Sequence, residues 1–353
     1  MIEGLIQKYH QWLEVPDNAE LISLNEGNTP LIELPRLAKL ISSNIKLYGK
    51  FEGLNPTGSF KDRGMTMAVT MAKSDGSHTV MCASTGNTSA SAAAYAARAG
   101  MKCIVLIPGG KIALGKLTQA LMHGAKVISI DGNFDEALNL VRSICKSSPI
   151  ALVNSVNPYR LQGQKTVAFE IVDDLGNSPD YHVMPVGNAG NVTAAWMGYK
   201  EYYSSHKCSK LPKMVGFQAS GAAPIVLGHV VEHPDTVATA IRIGNPASWK
   251  GAICARDESG GYIGSVTDSE ILEMYQLLPS TEGVFVEPAC AAPLAGIKKL
   301  AQSGYFDKQV TVVVTLTGHG LKDPDTAMGM HSAITSSVPA TREAVMDAIG
   351  LET

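Results

Sequence analysis

The sequence predicts an α/β fold of two lobes, each with a parallel or mostly parallel open twisted sheet flanked by helices. Short apolar runs alternate with longer stretches that have helical periodicity. This alternation is typical of parallel strands joined by helical crossovers. The length of 353 residues also exceeds the usual size of one domain, which favours two packed lobes.

The individual elements follow one another along most of the chain. Strands are predicted over residues 46–51, 79–83, 103–107, 126–130, 181–186, 215–219 and 310–316. Helices are predicted over about 61–73, the Ala-rich run ending at Arg98, 114–123, 134–146, 158–175 and about 192–203. The run 310–316 is almost entirely β-branched, which is typical of a strand buried on both faces. A seam between two sets of strand–helix units is expected near 151–157.

Composition argues against several classes of protein. Hydrophobic residues make up 45% and charged residues 17%, as in ordinary soluble globular proteins. A net charge of -3 and scattered basic residues argue against nucleic-acid binding. No run approaches the roughly 20 apolar residues that span a membrane, and no signal peptide is visible at the start. Six widely spaced cysteines without a Cys-x-x-Cys pair predict buried free thiols in a reducing cytoplasm.

Three polar loops lie where predicted strands end, which is where open α/β sheets bind ligands. The first, residues 55–64, places Lys61 just inside a helix. The positive end of that helix and Arg63 should both favour the neutral amine, and an amine that forms a Schiff base needs a lowered pKa. The alternative is an ordinary solvated lysine at a helix N-terminus.

The other two loops have the composition of anion sites. Ser84-Thr85-Gly86-Asn87-Thr88-Ser89 offers hydroxyls and backbone N–H groups at a helix start, and Gly187-Asn188-Ala189-Gly190-Asn191 lets backbone amides approach a phosphate. The second of these matches neither the dinucleotide-binding pattern nor a Walker loop. The alternatives are a helix-capping run and a plain Gly/Asn turn.

Taken together, the motifs match a known family. Asn55-Pro56-Thr57-Gly58-Ser59-Phe60-Lys61-Asp62-Arg63 resembles the lysine motif of the tryptophan-synthase-β-like (fold type II) pyridoxal-phosphate enzymes. Five segments narrow the resemblance to the threonine synthases: residues 26–31, 82–89, 154–160, 185–191 and 316–324. Each segment alone is weakly specific. The collinear set, which extends from about residue 22 to 328, is strongly specific.

The resemblance implies a fold, a cofactor and a substrate. The active site would lie between a large discontinuous domain, 1–55 and 154–353, and a smaller mobile domain, 56–153. Lys61 would be the catalytic residue and would form a Schiff base with pyridoxal 5′-phosphate. The cofactor would also contact Phe60, Asn87, Gly187, Asn188, Ala189, Gly190, Asn191 and Thr317. The substrate, O-phosphohomoserine, would bind Ser84, Thr85, Asn87 and Thr88 through its carboxylate and Lys116, Asn154, Ser155, Arg160 and Asn188 through its phosphate.

By the same resemblance, the chain would be a lyase that makes threonine and phosphate from O-phosphohomoserine and water. It would be a homodimer. The composition and the free thiols, rather than the resemblance, predict a cytoplasmic protein without a nucleic-acid or membrane partner, and no metal is expected. Asn87 would contact the ring hydroxyl of the cofactor and Thr317 its ring nitrogen. A hydroxyl at Thr317 cannot supply the full negative charge that an aspartate would place beside that nitrogen.

Other interpretations remain open at this stage. A threonine or serine dehydratase shares the fold, but its substrates carry no phosphate to be gripped. A catalytically silent homologue could keep the pocket as a metabolite sensor. His229-Val230-Val231-Glu232-His233 fits an inverted zinc-peptidase pattern, but Pro234 should prevent the helix that this pattern needs. Finally, Ala289-Cys290 stands where relatives tend to have Gly-Ser.

Overall fold

A computed structural model describes residues 3–109, 114–330 and 337–350, except for the side chains of 114–116. The chain divides into two compact units, residues 1–322 and 323–353. Within the described ranges, no helix is both long enough and apolar enough to cross a membrane.

The first unit contains all the described strands. They are β1 Leu31–Glu33, β2 Ile45–Phe51, β3 Thr79–Ala83, β4 Lys102–Pro108, β5 Lys126–Ile130, β6 Ala151–Leu152, β7 Tyr181–Pro185, β8 Lys213–Ala219, β9 Tyr262–Val266 and β10 Val310–Leu316. The larger sheet has the order β1-β2-β10-β7-β8-β9, and the smaller has the order β5-β4-β3-β6. Only β1 pairs antiparallel; the other strand pairs are parallel.

Helices connect the strands of the first unit. They are α1 Leu5–Lys8, α2 Pro35–Ile41, α3 Lys61–Ser74, α4 Asn87–Arg98, α5 Leu114–Met122, α6 Phe134–Ser147, α7 Pro158–Leu175, α8 Gly190–Ser204, α9 Pro224–Leu227, α10 Trp249–Ser259, α11 Asp268–Glu282 and α12 Ala291–Gln302. The second unit contains α13 Pro324–Met330 and α14 Arg342–Ala348. The Thr341 hydroxyl caps α14 by accepting a hydrogen bond from the backbone N–H of Ala344.

The predicted fold class is confirmed by two mostly parallel sheets flanked by helices. Each predicted strand and helix is present, with boundaries that differ by up to two residues. The pattern missed β9, because its central Gly264 and Ser265 interrupt the apolar run. It also missed the short strands β1 and β6 and the helices α1, α2 and α9 to α14. Among these is α11, which continues past Pro279 to Glu282.

A buried ion cluster joins the first turn of α3 to the C-terminal half of α7. Arg63 donates to both carboxylate oxygens of Glu52 and to both of Glu170, at 2.7–2.8 Å. Lys50 approaches Glu170 at 3.0 Å, and all these side chains are buried. Burial alone would raise the pKa of Glu170, but Arg63 and Lys50 together hold it well below its usual value. The two helices can approach closely because Gly163 has no side chain. A Cβ at this position would collide with the backbone carbonyl of Arg63.

Two minor predictions have different outcomes. The described cysteines are free thiols; four are buried and Cys145 is half-buried, but the prediction of burial is wrong for Cys254. Its position on α10 leaves the thiol at the surface, where it donates to Glu258 at 2.9 Å. The expected helix break before Pro234 is confirmed, because α9 ends at Leu227 and both His229 and His233 lie outside it.

Candidate active site

Lys61 is held at the carboxyl end of β10. The two neighbouring strands β2 and β10 run parallel, so the loop that follows β2 passes beside the end of β10. The backbone N–H of Phe60 donates to the carbonyl of Thr317 at 2.9 Å, and Ser59 forms an antiparallel bridge with Gly318. Lys61 is the first residue of α3. Three residues predicted to meet the cofactor, Phe60, Lys61 and Thr317, are therefore adjacent.

The environment of Lys61 favours a neutral amine. Its Nζ lies 4.0 Å from the centroid of the Phe60 ring. Burial lowers the pKa of Lys61 to about 7; the charge of Arg160 contributes in the same direction, and Glu287 opposes it. The direction agrees with the sequence prediction, but the proposed contribution of Arg63 is wrong. The charge of Arg63 is engaged by Glu52 and Glu170 instead.

The pKa of Lys61 predicts how cofactor capture depends on pH. Only the neutral amine attacks an aldehyde, and with a pKa of about 7 it predominates above that pH. The rate at which the apoenzyme binds pyridoxal phosphate should therefore rise from pH 6 to pH 8 and level off above. Stopped-flow absorbance at several pH values measures this rate. A rate that climbs steadily to pH 10 would show an ordinary, solvated lysine.

Arg160 is a buried cation whose hydrogen-bonding capacity is only partly used. Its side chain on α7 is 1% exposed, and Nη1 donates to the carbonyl of Val153 at 3.3 Å. Its Nε and Nη2 have no hydrogen-bond partner in the described part of the chain. Burial lowers the pKa of Arg160 to about 10, so it stays charged at neutral pH. Because unpaired buried donors are costly, this guanidinium is suited to binding an anion.

The loop 187–191 joins β7 to α8 in a shape that suits a phosphate. Ala189 has a φ of 65°, a left-handed conformation that turns the chain into the helix. The carbonyl of Asn188 accepts from Ser248 N–H at 3.0 Å, which anchors the loop. Gly187 leaves little room for a side chain, because an added Cβ would lie only 3.0 Å from the Cα of Ile241. The buried Nδ2 of Asn191 lacks a partner among the described residues. This free side-chain donor and the first backbone N–H groups of α8, which have no partner within the helix, match a phosphate group.

Helix α7, which carries Arg160, also lies between the loop 187–191 and the start of α3, where Lys61 is located. Gln164 lies one turn after Arg160, and its Oε1 would be 4.0 Å from a Cβ placed on Gly190. Its Nε2 would be 2.9 Å from a Cβ placed on Gly64, in the first turn of α3. Two of the predicted sites, the lysine and the Gly/Asn loop, therefore meet along one face of α7.

The loop 84–89 combines capping with free polar groups. The hydroxyl of Ser84 accepts from the backbone N–H groups of Gly86 at 3.2 Å and Ser89 at 3.3 Å, so Ser84 acts as a cap. Thr85 and Thr88 are half-buried. Space is open around Gly86, where an added Cβ would meet no atom within 4 Å. A ligand can therefore reach the start of α4.

Asn154 anchors the residue that precedes the loop 84–89. Its Oδ1 accepts from the backbone N–H of Ala83 and its Nδ2 donates to the carbonyl of Ala83, both at 2.9 Å. The side chain thus continues the hydrogen bonding of β3 to the point where the loop begins. Ser155, the next residue, is half-buried. The side chain of Lys116, on α5, lies outside the described residues.

Glu287 is the site residue that the sequence analysis missed. Its buried carboxylate accepts from Asn87 Nδ2 at 2.9 Å and from the Thr317 hydroxyl at 3.2 Å. It thereby joins two residues that the family resemblance predicts as cofactor ligands. Burial raises the pKa of Glu287, although the Asn87 hydrogen bond and the charges of Lys322 and Lys61 oppose the shift. From the sequence, only Ala289-Cys290 stood out in this region, because a lone glutamate before a proline carries no distinctive signal.

The substituted position Cys290 lies against the same groups. Its Sγ is 3.4 Å from the Thr317 hydroxyl and accepts from the backbone N–H of Gly318 at 3.3 Å. Burial raises the pKa of the Cys290 thiol to about 12, so it is a neutral, weakly polar neighbour.

The residues present fit pyridoxal phosphate on three separate counts. A half-buried lysine with a lowered pKa can bond to the aldehyde. The buried Asn191 Nδ2, which has no partner among the described residues, and the N-terminus of α8 suit the phosphate. Asn87 and Thr317 offer polar atoms for the ring.

Comparisons with known proteins identify the family of the chain. Residues 22–318 match the family model described as "Pyridoxal-phosphate dependent enzyme". The chain is 59% identical to a threonine synthase from Halalkalibacterium halodurans, with 98% of this chain and 97% of the relative covered. It is 58% identical to a threonine synthase from Mycobacterium tuberculosis, over 99% of this chain and 96% of the relative. It is also 52% identical to one from Methanocaldococcus jannaschii, over 92% and 82%.

Solved structures support the fold alone. Maize serine racemase has a TM-score of 0.74 at 20% identity, with 86% of this chain and 92% of that chain covered. A processed threonine deaminase from Solanum lycopersicum has a TM-score of 0.75 at 19% identity, with 94% and 96% covered.

Proposed function

Because the chain belongs to the threonine synthase family of pyridoxal-phosphate-dependent enzymes, we propose that it turns O-phosphohomoserine and water into threonine and phosphate at the site around Lys61. It is accordingly a pyridoxal-phosphate-dependent lyase. We further propose that the cofactor and substrate contacts are those that the family resemblance implies, with Lys61 as the catalytic residue.

The guanidinium of Arg160 is the single observation that carries the choice of substrate. It is a buried cation near the reactive lysine, with two nitrogens that no described protein group satisfies. A phosphate ester supplies the anionic oxygens that such a fork binds best. Substrates of a dehydratase, such as serine, would leave these donors unpaired. The geometry therefore favours a phosphorylated substrate.

The cofactor would be held by groups from both sheets. When bound through its aldehyde to Lys61, pyridoxal phosphate supplies an electron sink that acidifies the hydrogens of the substrate next to its amine-bearing carbon. The loop 187–191 would bind the cofactor phosphate through backbone N–H groups and Asn191 Nδ2. Phe60 would pack beside the ring, and Asn87 and Thr317 would meet its polar atoms.

The substrate would be gripped at both of its ends. The start of α4, with Ser84, Thr85, Asn87 and Thr88, would receive the carboxylate. Its phosphate would bind Arg160 and Asn188, with Asn154, Ser155 and Lys116 as further proposed contacts. Asn154 already binds the backbone of Ala83, so its contribution includes holding the loop 84–89 in place.

Lys61 would move the protons that the reaction requires. Its neutral amine would remove the proton from Cα, and the resulting ammonium group would return protons elsewhere on the substrate. Arg160 would retain the phosphate that leaves Cγ. That retained phosphate is the proposed base for the water that adds at Cβ.

A direct assay tests the proposed function. The purified protein, loaded with pyridoxal phosphate, should release threonine and phosphate in equal amounts from O-phosphohomoserine. Serine and threonine should be deaminated far more slowly. Faster release of 2-oxo acid from serine would identify a dehydratase, and a protein without a cofactor absorbance band would be a silent homologue.

Replacing Arg160 by Met should separate substrate binding from cofactor binding. Loss of a charge-assisted pair to phosphate, about 2–3 kcal/mol, should lower kcat/KM by about 30- to 150-fold. The cofactor band should remain, because Lys61 is intact. Folding stability should not fall greatly, since two unpaired buried nitrogens are removed. Steady-state kinetics and absorbance measure both effects, and an unchanged kcat/KM would remove Arg160 from the site.

Three further features are also proposals: the smaller mobile domain, the homodimer and the cytoplasmic location. We propose that residues 56–153 form the smaller mobile domain, because they contain every strand of the smaller sheet. Homodimer formation and a cytoplasmic location rest on the family resemblance and on the free thiols. Analytical ultracentrifugation tests the dimer.

A further inference from the structure

We infer that Lys322 is a positioning residue that holds helix α5, in the proposed smaller domain, against the turn that precedes Lys61. The inference rests on the proposed function, in which residues 56–153 form a mobile domain and α5 carries Lys116, a contact of the substrate phosphate. It deepens that proposal by naming the group that keeps α5 at the substrate site. Lys322 itself takes no part in the proposed chemistry.

The chain that follows β10 fixes the position of Lys322. Its backbone N–H donates to the carbonyl of His319 at 3.0 Å, and the N–H of His319 donates to the carbonyl of Gly58 at 2.9 Å. Gly58 has a φ of 85°, and a Cβ at this position would lie 3.2 Å from Cδ of Lys322. The stem of the lysine therefore lies across a glycine of the turn that leads to Lys61.

The ammonium group of Lys322 joins two segments of the proposed smaller domain. It donates to the carbonyl of Thr57 at 3.1 Å and to Oε1 of Gln119, on α5. An ammonium only donates and a carbonyl only accepts, so both directions are fixed. Lys116 lies three residues before Gln119 in the same helix. A lysine beyond the last strand of the larger sheet thus binds the helix that carries a proposed phosphate contact.

The surroundings of Lys322 strengthen this contact. Burial lowers the pKa of Lys322, and the charges of Glu287 and Asp62 oppose that shift. Both carboxylates are buried, so the half-buried ammonium group has stabilising charges close to it. A hydrogen bond from a charged donor is roughly twice as strong as one between neutral groups. The bond from Lys322 to Gln119 therefore contributes more than an ordinary contact between two surface side chains.

The turn that precedes Lys61 has other attachments besides Lys322. The carboxylate of Asp62 accepts from the backbone N–H of Thr57 at 2.7 Å and from its hydroxyl at 2.6 Å. The hydroxyl of Ser91, on α4, donates to the same carboxylate at 2.6 Å. Loss of the Lys322 side chain should therefore leave Lys61 in place. The position of α5 should change instead, and with it the affinity for the substrate.

Hydrogen exchange followed by mass spectrometry tests the contact in the absence of substrate. The cofactor-loaded protein is compared for the natural chain, Lys322→Met and Gln119→Leu. Lys298→Met is the matched control, because this lysine pairs with Glu273 near the surface. Peptides from α5 should exchange about tenfold faster in both site variants, as expected for loss of a hydrogen bond to a charged group. In the control they should exchange at the natural rate.

Steady-state kinetics gives a second measurement. Only molecules with α5 in place bind substrate at full strength, so the KM for O-phosphohomoserine should rise about tenfold in Lys322→Met. The cofactor band should remain and kcat should change little, because saturating substrate itself holds α5 in place. Gln119→Leu keeps the charge of Lys322 and should still raise KM to the same extent. The double variant should be no worse than either single variant.

The outcomes separate this inference from the proposed function. Natural exchange of α5 in Gln119→Leu overturns the inference, even if Lys322→Met does not fold and even if the protein makes threonine. A rise in KM confined to Lys322→Met also overturns it, because the lysine would then act through its charge on Glu287 or Asp62. If the natural chain makes no threonine from O-phosphohomoserine, the proposed function fails, and the exchange of α5 still decides whether Lys322 holds this helix.

Discussion

Substituting Lys61 by Ala should abolish both the cofactor absorbance band and turnover. The amine is the group proposed to bond to the aldehyde and to move the protons, so no other residue replaces both roles. Loss of the positioned acid–base function alone should reduce kcat by about 10²- to 10⁴-fold, and loss of the covalent attachment should reduce it further. Absorbance spectra and threonine release measure the two effects.

Lys73 provides the matched control for this substitution. It lies on the same helix, where it pairs with Glu20 at 2.8 Å and donates to the carbonyl of Ala99. Lys73→Ala should keep the absorbance band and most of the activity, because an exposed ion pair contributes at most about 1 kcal/mol to stability. If Lys61→Ala behaved like Lys73→Ala, another residue would carry the chemistry.

Replacing Arg63 by Met should strongly destabilise the fold. The substitution leaves the carboxylates of Glu52 and Glu170 buried without the guanidinium that they share. Breaking a buried pair in this way costs about 3–5 kcal/mol. The free energy of unfolding from a urea titration should fall by that amount.

The pH dependence of this loss distinguishes charge from packing. In the natural chain the pKa of Glu170 is held low, so its stabilising effect is present above the unfolded value and is lost as the pH falls. Without Arg63 only Lys50 still opposes the effect of burial, so the pKa of Glu170 should be higher than in the natural chain and acid should partly relieve the defect. The difference between the two proteins should therefore be smaller at pH 5 than at pH 8. Arg36→Met, at an exposed position on α2, should change stability little at either pH.

Local sequence patterns predicted seven of the ten described strands and the six helices α3 to α8, because the deciding forces act within short segments there. The strand 310–316 was recognisable from its unbroken β-branched run, and α7 from Asn157 and Pro158 at its start and Gly176 at its end. The pattern missed β9, because its pairing with β8 is decided by a neighbour distant in the chain. Gly264 and Ser265 give it little strand character of their own.

Residues of the candidate site could be predicted only where they belong to a recognisable sequence motif. Lys61 follows a small-residue turn that the family resemblance identifies, so its role could be predicted. The contribution of Arg160 to its pKa could not, since it depends on the packing of α7 against α3. Arg63 is near in sequence, but it points into the ion cluster. Glu287 acquires its partners only when three segments far apart in the chain meet, which no local pattern records.

Borohydride reduction followed by peptide mass spectrometry tests the central assignment most directly. Reduction converts the bond between the cofactor and its lysine into a stable amine, so the labelled peptide identifies the residue. The expected label lies on Lys61. Lys322 donates to the carbonyl of Thr57 at 3.1 Å and is, among the described lysines, the other one whose pKa is lowered by burial. A label on Lys322, or no labelled peptide at all, would contradict the proposed site.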